Sequence, residues 1–412
     1  MTDHEFETRQ IHAGYEPDEH GSLVPPISTS VTYAYESPST MMGEYRYARM
    51  SEPTRVVVDD LIADLEGGTY GRTFASGMGA INALYTAVLS AGDHVVAGQT
   101  LYAESHTLLT RIFSEFGVDV TFADTTDLEA VADAIRPETA LVYFETPTNP
   151  LLSITDIAGV VEVAAAVGGD GACGQGDGAR GDDARTSEGD ADDGPVVAVD
   201  NTFASPYLQR PLDLGVDVVV ESLTKYVSGH SDVVAGATIT NDHALDEKLA
   251  FVQYNQGATP SPFASSLVAR GAKTLASRMR THCENASEIA EFLDDHSAVS
   301  HVHYPGLPSH PNHDVAAEQM RDFGGMVSLE LDATLEETAT VISETEVFAL
   351  AESLGGVESL IEQPATMTHQ DLTAEELAAA GLSESLVRLS VGTEHVDDLI
   401  ADFESAIDAV LG

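Results

Sequence analysis

Lys225 and Asp200 are the two side chains of this sequence that most clearly point to chemistry. Lys225 follows the apolar run VDVVVESLT, and Asp200 ends the apolar run VVAVD. Such runs predict buried parallel strands, and open α/β sheets bind their ligands just beyond the carboxyl ends of these strands. A strand-end amine and a strand-end carboxylate are therefore expected to lie near one another.

This pair has two interpretations. It is either a structural ion pair or a site for pyridoxal 5′-phosphate (PLP). In the second case the lysine holds the cofactor covalently, and the aspartate keeps the ring nitrogen protonated so that the ring can take up carbanion charge. The other two lysines, Lys248 and Lys273, lie in helical segments with charged neighbours. An amine nucleophile needs a pocket that lowers its pKa, which favours Lys225.

A phosphate site is predicted where Ser76-Gly77-Met78-Gly79 opens a helix. Small residues let backbone N–H groups approach a phosphate at the positive end of a helix. Ser222 and Thr224, immediately before Lys225, can add hydroxyl donors. Taken alone, the Ser-Gly-x-Gly pattern more often marks a tight turn, and its meaning here comes from its combination with Asp200 and Lys225.

The charge of the chain limits its possible partners. Sixty-eight acidic residues against 18 basic ones give a net charge of −50, which disfavours nucleic acid and anionic membrane surfaces. No run is long and apolar enough to span a membrane, and the polar N-terminus predicts neither a signal nor a transit peptide. Two cysteines, Cys173 and Cys283, indicate a reducing cytoplasm. The acidic, lysine-poor composition predicts a halophilic protein, with an ordinary acidic cytosolic protein as the alternative.

Apolar runs of four or five residues alternate with helical patterns through the first two thirds of the chain, which predicts an α/β fold with a mostly parallel sheet. We expect an N-terminal arm (1–55), a large domain (56–258) and a smaller C-terminal α+β domain (259–412). The Gly- and acid-rich segment 168–194, which contains Cys173, is predicted to be a disordered surface loop. A long helix is predicted over 263–296, interrupted at most locally at Gly271.

Motifs throughout the chain resemble those of the Cys/Met metabolism PLP-dependent enzymes, which include cystathionine γ-synthases, cystathionine γ-lyases, methionine γ-lyases and O-acetylhomoserine sulfhydrylases. The resemblance covers nearly everything outside 168–194. The matching stretches are YRYAR (45–49), FASGM (74–78), ETPTNP (145–150), VDNTFASP (199–206), SLTKYVSGHSDVVAG (222–236), ESLGGVESL (352–360) and VRLSVGTEHVDDLI (387–400).

The resemblance implies a PLP-dependent transferase fold (fold type I), PLP as the cofactor and a homotetramer built from dimers. It also implies a role for individual residues. Lys225 would hold PLP and move protons, and Tyr102 would stack on the ring and assist proton transfer. The other expected cofactor-binding residues are Tyr47 and Arg49, which would reach the cofactor phosphate of a second copy, and Gly77, Met78, Asp200, Thr202, Ser222 and Thr224. The expected substrate-binding residues are Asn149, Glu358, Ser359 and Arg388, with Arg388 as a fork for the α-carboxylate and Ser359 orienting Lys225.

Departures from the family pattern bear on the substrate. Ala103 and Glu104 replace the Gly-Gly or Gly-Cys pair that usually follows Tyr102, and the missing cysteine disfavours methionine γ-lyase activity. Glu52 replaces an asparagine, and Glu358 is the acid usual in γ-synthases and γ-lyases. Cystathionine γ-synthase ranks first, followed by cystathionine γ-lyase, then by sulfhydrylase or methionine γ-lyase activity.

Other classes of function are weighed against this one. A non-catalytic scaffold would have lost Lys225, Asp200 or Arg388, and all three are present. An aminotransferase is disfavoured by ETPTNP and by the strand that carries Arg388. The histidines at 301–303 (HVH) and 310–313 (HPNH) have metal-like spacing, but the family has a similar turn without metal, so no metal site is expected.

Overall fold

Two β-sheets organise this computed structural model, which describes residues 4–18, 20–169, 194–368, 377 and 381–412. The predicted disordered loop at 168–194, including Cys173, lies almost wholly in residues 170–193, outside the described ranges. The expected domain limits at 55 and 258 remain predictions. Within the described ranges, no helix is both long and apolar enough to cross a membrane.

Helices and strands alternate along the described chain. The helices are Phe6–His12 (α1), Pro53–Glu66 (α2), Gly77–Val88 (α3), Ala103–Thr107 (α4), Leu128–Ala134 (α5), Ile157–Gly169 (α6), Ser205–Leu208 (α7), His243–Gln256 (α8), Pro262–Ala272 (α9), Leu275–Asp294 (α10), His313–Gln319 (α11), Leu335–Ser343 (α12) and Val396–Leu411 (α13). The strands are Tyr35–Ser37 (β1), Thr40–Met41 (β2), Tyr70–Phe74 (β3), His94–Gly98 (β4), Asp119–Ala123 (β5), Thr139–Glu145 (β6), Val196–Asp200 (β7), Val218–Glu221 (β8), Gly236–Thr240 (β9), Val299–His303 (β10), Met326–Leu331 (β11), Ala349–Leu350 (β12), Leu360–Glu362 (β13) and Leu386–Ser390 (β14).

The larger sheet has seven strands in the described residues, in the order β3-β9-β8-β7-β6-β4-β5. Strands β8, β7, β6, β4 and β5 are parallel, and β9 runs antiparallel to both of its neighbours. The expected mostly parallel α/β sheet is therefore confirmed. Its central strands are apolar on both faces because alternate residues enter two cores: Val142 and Phe144 face one core, and Leu141 and Tyr143 face the other.

Strands β3 and β9 escaped prediction because their sequences, YGRTF and GATIT, are short and rich in glycine and threonine. The glycine that opens β9 has a packing role. A Cβ atom on Gly236 would lie 2.4 Å from the carbonyl oxygen of Ser76. Only glycine therefore lets β9 approach the turn that begins α3.

The smaller sheet has the order β10-β11-β14-β13-β12 in the described residues, and α10, α12 and α13 pack against it around a separate apolar core. The predicted long helix is two helices, α9 and α10, with the break at Lys273 and Thr274. Gly271 lies just before this break, where a Cβ atom would lie 2.1 Å from the carbonyl oxygen of Ser228.

The N-terminal arm has little regular structure before α2, as expected, apart from α1 and the short β1–β2 pair. Helix α2 begins at Pro53 because the Glu52 carboxylate accepts hydrogen bonds from the N–H groups of Thr54 (2.8 Å) and Arg55 (2.6 Å). The unusual Glu52 thus has a structural role as a helix cap.

Candidate active site

A cavity of about 320 Å³ lies where the carboxyl ends of β6 and β7 and the loop after β8 meet β14. It brings together ten of the residues predicted from the sequence. They are Gly77, Met78, Tyr102, Asn149, Asp200, Thr202, Ser222, Thr224, Lys225 and Arg388. Ser76, which opens the predicted phosphate site, also lines the cavity, as do Glu145, Glu352, Ser353 and Thr368, to which the sequence gave no role.

Lys225 lies in the loop that follows β8. Its Nζ atom donates a hydrogen bond to Oγ of Ser353 (2.7 Å). Burial, together with the positive charge of Arg388, lowers the pKa of Lys225 to about 8, against the opposing charges of Glu362 and Glu352. About a tenth of this amine is therefore uncharged at pH 7, far more than for an ordinary lysine, and this neutral fraction can act as a nucleophile or a base.

Asp200 ends β7 directly beside Glu145, which ends β6 in the register of the two strands. Burial raises the pKa of Asp200, and hydrogen bonds donated by Thr202 and Tyr143 lower it. Burial also raises the pKa of Glu145, and the charge of Asp200 adds to that rise. In the part of the chain that the structure describes, no cationic side chain forms an ion pair with either carboxyl group. A cationic ring nitrogen at Asp200 would supply the missing positive charge.

The residues of the predicted phosphate site lie at the start of α3. Ser76 caps this helix, with its Oγ atom accepting a hydrogen bond from the N–H of Gly79 (2.9 Å). A Cβ atom on Gly77 would lie only 3.1 Å from Cβ of Ser222, so glycine allows the helix end to face the Ser222 loop closely. The Thr224 hydroxyl contacts the backbone of Ala235, donating to its carbonyl oxygen (3.1 Å) and accepting from its N–H (3.0 Å).

Arg388 lies on β14 and is buried in the opposite wall of the cavity. Its guanidinium forms an ion pair with Glu362 (3.1 Å). It also donates to Oδ1 of Asn149 (2.8 Å) and to the carbonyl oxygen of Ser353 (2.8 Å), while its Nε atom has no partner. These contacts hold the guanidinium in a fixed orientation, as a carboxylate-binding fork requires.

Tyr102 lies at the edge of the cavity, and its backbone N–H donates to the buried carboxylate of Glu145 (2.7 Å). Burial raises the pKa of its phenol, and the negative charges of Glu104, Glu145 and Glu352 raise it further. The phenol is therefore protonated near neutral pH and can donate a proton. Glu104, one of the departures from the family pattern, therefore acts electrostatically on Tyr102.

Two predicted substrate-binding residues do not line the cavity. The Ser359 hydroxyl donates to Glu394 (2.8 Å) and accepts from the N–H of Gly392 (2.8 Å), so the expectation that Ser359 orients Lys225 is wrong and Ser353 makes that contact instead. Glu358 is exposed and accepts a hydrogen bond from Ser231 (3.2 Å). Both Ser353 and Ser359 lie in the ESLGGVESL motif, and sequence alone gave no reason to prefer the first serine.

Tyr47 and Arg49 lie on the arm, outside this cavity. The Arg49 guanidinium is placed over the rings of Tyr254 (4.7 Å) and Tyr47 (5.4 Å). Their expected contact with the phosphate site of a second copy remains a prediction. The histidine-rich segment is also separate: His303 pairs with Glu330 (3.3 Å), and the described residues contain no group of three or more side chains that could hold a metal ion.

The cavity fits PLP. It combines an amine of lowered pKa, a carboxylate without a cationic partner, a glycine-opened helix end and an arginine fork. Lys225 would hold the cofactor, Asp200 would contact its ring nitrogen, and the start of α3 with Ser222 would hold its phosphate. This fit rests on the donor set of the cavity and does not depend on any resemblance.

Comparisons with known proteins agree with this arrangement. Residues 7–171 and 184–408 match the family model described as Cys/Met metabolism PLP-dependent enzyme. The chain is similar to cystathionine gamma-synthase of Mycobacterium bovis, with 46% identity over 97% of this chain and 96% of that protein. It is also similar to cystathionine beta-lyase of Coxiella burnetii, with 43% identity over 98% of this chain and 97% of that protein.

A solved structure extends the likeness to three dimensions. Cystathionine gamma synthase from Xanthomonas oryzae pv. oryzae, in complex with aminoacrylate and cysteine, superposes with a TM-score of 0.90 at 40% identity, covering 99% of this chain and 98% of that one. The architecture is that of fold type I, and the relatives are PLP-dependent transsulfuration enzymes. The chain therefore belongs to the Cys/Met metabolism family of PLP-dependent enzymes, and PLP is its cofactor.

Proposed function

We propose that this enzyme is a cystathionine γ-synthase, which joins an O-acyl-L-homoserine and L-cysteine into cystathionine. The observation that carries the proposal is the placement of the Lys225 amine and the Arg388 fork in one cavity. A base beside a carboxylate clamp is what removal of a proton from an amino acid requires. The similarity to the Mycobacterium bovis and Xanthomonas oryzae synthases supports the choice of reaction.

Different residues of the chain bind the substrate and the cofactor. Arg388 and Asn149 bind the substrate α-carboxylate, which aims the α-carbon at Lys225. Asp200 stabilises the cationic ring, and Gly77, Met78, Ser222 and Thr224 surround the phosphate. When bound, PLP accepts the electron pair that is left when the α-proton is removed.

Proton transfer falls to Lys225 and Tyr102. Once the substrate amine has displaced it from the cofactor, the Lys225 amine, with its pKa near 8, would accept the proton from Cα, pass that proton to the bound cofactor, and so be neutral again to accept a proton from Cβ. The bond between Cγ and the acyl oxygen breaks, and the acyl group leaves as a carboxylate. The cysteine thiol then forms a bond to Cγ and loses its proton to solvent, while the protons at Cβ and Cα are returned. The neutral Tyr102 phenol is placed to assist these transfers.

Carbon–sulfur cleavage at Cγ of cystathionine, the γ-lyase reaction, is the second candidate, supported by the similarity to cystathionine gamma-lyase of Dictyostelium discoideum. The same base and clamp serve both reactions. One assay separates them: the PLP-loaded enzyme is given O-acyl-L-homoserine with L-cysteine, or cystathionine alone. We expect cystathionine formation to be faster than 2-oxobutyrate release, and Lys225→Ala to abolish both. Faster 2-oxobutyrate release would overturn the synthase assignment.

We also propose that the enzyme is a homo-oligomer in which the arm packs on a second copy. Several apolar side chains of the arm are exposed in the single chain, among them Leu23 (80%), Val24 (71%) and Met42 (71%). A chain with a net charge of −50 is not expected to leave such residues in water. The same arm carries Tyr47 and Arg49. Light scattering is expected to give a tetramer, and a monomer would contradict this arrangement.

The surface charge supports a further proposal, that the enzyme works in a cytoplasm of high salt. Sixty-eight acidic residues against 18 basic ones repel each other strongly unless counterions screen them. Stability is therefore expected to depend on salt, as tested below.

A further inference from the structure

The charges that line the cavity bear on the group that the donor substrate carries. In the described lining, Lys225 and Arg388 are the cationic side chains. Both have a task in the proposed reaction, since Lys225 holds the cofactor and Arg388 binds the α-carboxylate. The cavity therefore offers no further cation for the distal part of a substrate.

The mouth of the cavity is negative instead. Glu352 lines it, and its carboxylate acts electrostatically on both Lys225 and Tyr102. Glu104 is two residues beyond the lining residue Tyr102, and its charge acts on the Tyr102 phenol. Both glutamates are exposed, whereas Glu145 and Glu362 are buried, Asp200 is half-buried, and Glu362 is paired with Arg388. One exposed carboxylate thus lines the cavity, and the other lies two residues from the lining residue Tyr102.

We propose that Glu104 and Glu352 select an uncharged acyl donor, such as O-acetyl-L-homoserine, and disfavour donors whose acyl group is anionic, such as the succinyl or phosphoryl esters. This inference rests on the proposed γ-replacement. A second negative charge on the donor would lie near two carboxylates with no cation to offset it, and like charges in a partly desolvated site repel. The ammonium group of incoming cysteine is attracted by the same two carboxylates.

The arm of a second copy carries further cations, Arg46 and Arg49, and an anionic donor would be preferred if Arg46 bound its tail. Arg49 of that arm is assigned to the cofactor phosphate, so its charge is already matched there. If it bound the donor tail instead, anionic donors would be preferred, which the measurements below would reveal.

Binding can be measured without turnover by using unreactive amino acids of one length. L-2-Aminoadipate has a distal carboxylate, L-homoglutamine has the neutral amide of the same shape, and L-lysine has a distal ammonium. Their dissociation constants follow from the absorbance change of the PLP-loaded enzyme, at the lowest KCl concentration that keeps it folded. We expect aminoadipate to bind about five- to tenfold more weakly than homoglutamine, and lysine at least as tightly as homoglutamine.

Variants of Glu104 and Glu352 test whether these two carboxylates cause the difference in affinity. The double variant Glu104→Gln with Glu352→Gln is expected to bring the ratio of the dissociation constants of aminoadipate and homoglutamine close to one. Glu336→Gln, which removes a carboxylate on α12 outside the cavity, is the matched control and should leave the ratio as in the parent. Equal or tighter binding of aminoadipate by the parent, or an unchanged ratio in the double variant, would overturn the inference.

Kinetics separate this inference from the proposed function. With cysteine as acceptor, kcat/KM for O-acetyl-L-homoserine is expected to exceed that for the succinyl and phosphoryl esters, and the double variant should narrow the gap. γ-Replacement that is fastest with an anionic ester would overturn the donor assignment while leaving the synthase proposal in place. If the enzyme cleaves cystathionine but makes none from any ester, the synthase proposal is refuted. The three binding measurements then test the effect of the two carboxylates independently of the reaction.

Discussion

Arg55 connects the arm to the folded body of the enzyme. Its side chain is fully buried on α2, and its guanidinium donates to three consecutive backbone carbonyl oxygens of the arm. These belong to Ala48 (3.3 Å), Arg49 (3.4 Å) and Met50 (2.5 Å). Its Nε atom also lies 3.6 Å from the carboxylate of Asp59. One side chain therefore holds the segment that carries Arg49.

Replacement of Arg55 by methionine keeps most of the buried volume but removes the charge. It leaves the Asp59 carboxylate without its nearest cation, and removal of one partner of a buried ion pair costs about 3–5 kcal/mol. For a protein of this size, such a loss lowers the unfolding temperature by about 3–6 °C. The exposed Arg280, which pairs with Glu7 at 2.8 Å, is the matched control. Arg280→Met is expected to cost less than about 1 kcal/mol.

The effect of Arg55→Met depends on pH through Asp59. Burial raises the pKa of Asp59 from 3.8 to about 6, although the charge of Arg55 opposes the rise. The folded state thus binds this proton more readily than the unfolded state, and stability falls as pH rises between those two values. Without Arg55 the pKa of Asp59 rises further, and each added unit costs about 1.4 kcal/mol once the pH exceeds it.

The assay is thermal unfolding of the parent and both variants at pH 5 and at pH 8. Asp59 is largely neutral at pH 5, so Arg55→Met is expected to lower the unfolding temperature, relative to the parent, more at pH 8 than at pH 5. Comparison with the parent at each pH removes the general effect of the acidic surface. An equal decrease at both pH values would refute the role given to the Arg55–Asp59 pair.

Three other perturbations test the site and the surface. Arg388→Lys loses the two-pronged geometry of the fork, so kcat/KM should fall by about 10- to 100-fold, mainly through KM, and an unchanged KM would contradict the clamp. The rate at which cofactor-free enzyme captures PLP should rise with pH through about 8, where Lys225 loses its proton, and a rise centred near 10.5 would contradict the lowered pKa. Unfolding temperature should increase with KCl as the net charge of −50 is screened, and a salt-independent value would argue against the halophilic proposal.

The sequence predicted those features that depend on local pattern. The buried strands β4, β6, β7 and β8 have uninterrupted apolar runs, and Lys225 and Asp200 follow from their positions at strand ends. Strands β3 and β9 have no such runs, since their place in the sheet depends on close packing at Gly236. A local pattern cannot supply a contact of that kind.

Contacts between segments that are distant in the sequence could not be predicted either. Ser353 contacts Lys225 across 128 positions of sequence, and Asn149 reaches Arg388 across 239. The choice between Ser353 and Ser359 depends on how the loop before β13 folds over the cavity. Only the fold reveals that the second serine is taken by Glu394.

The attachment of PLP to Lys225 is the claim on which the rest depends, and the rarity of lysine makes it directly testable. The PLP-loaded enzyme is reduced with borohydride, digested and mapped by mass spectrometry. With three lysines in the chain, the result is a choice among Lys225, Lys248 and Lys273. We expect the pyridoxyl group on the Lys225 peptide. Its presence on either other lysine, or on none, would contradict the attachment of PLP to Lys225.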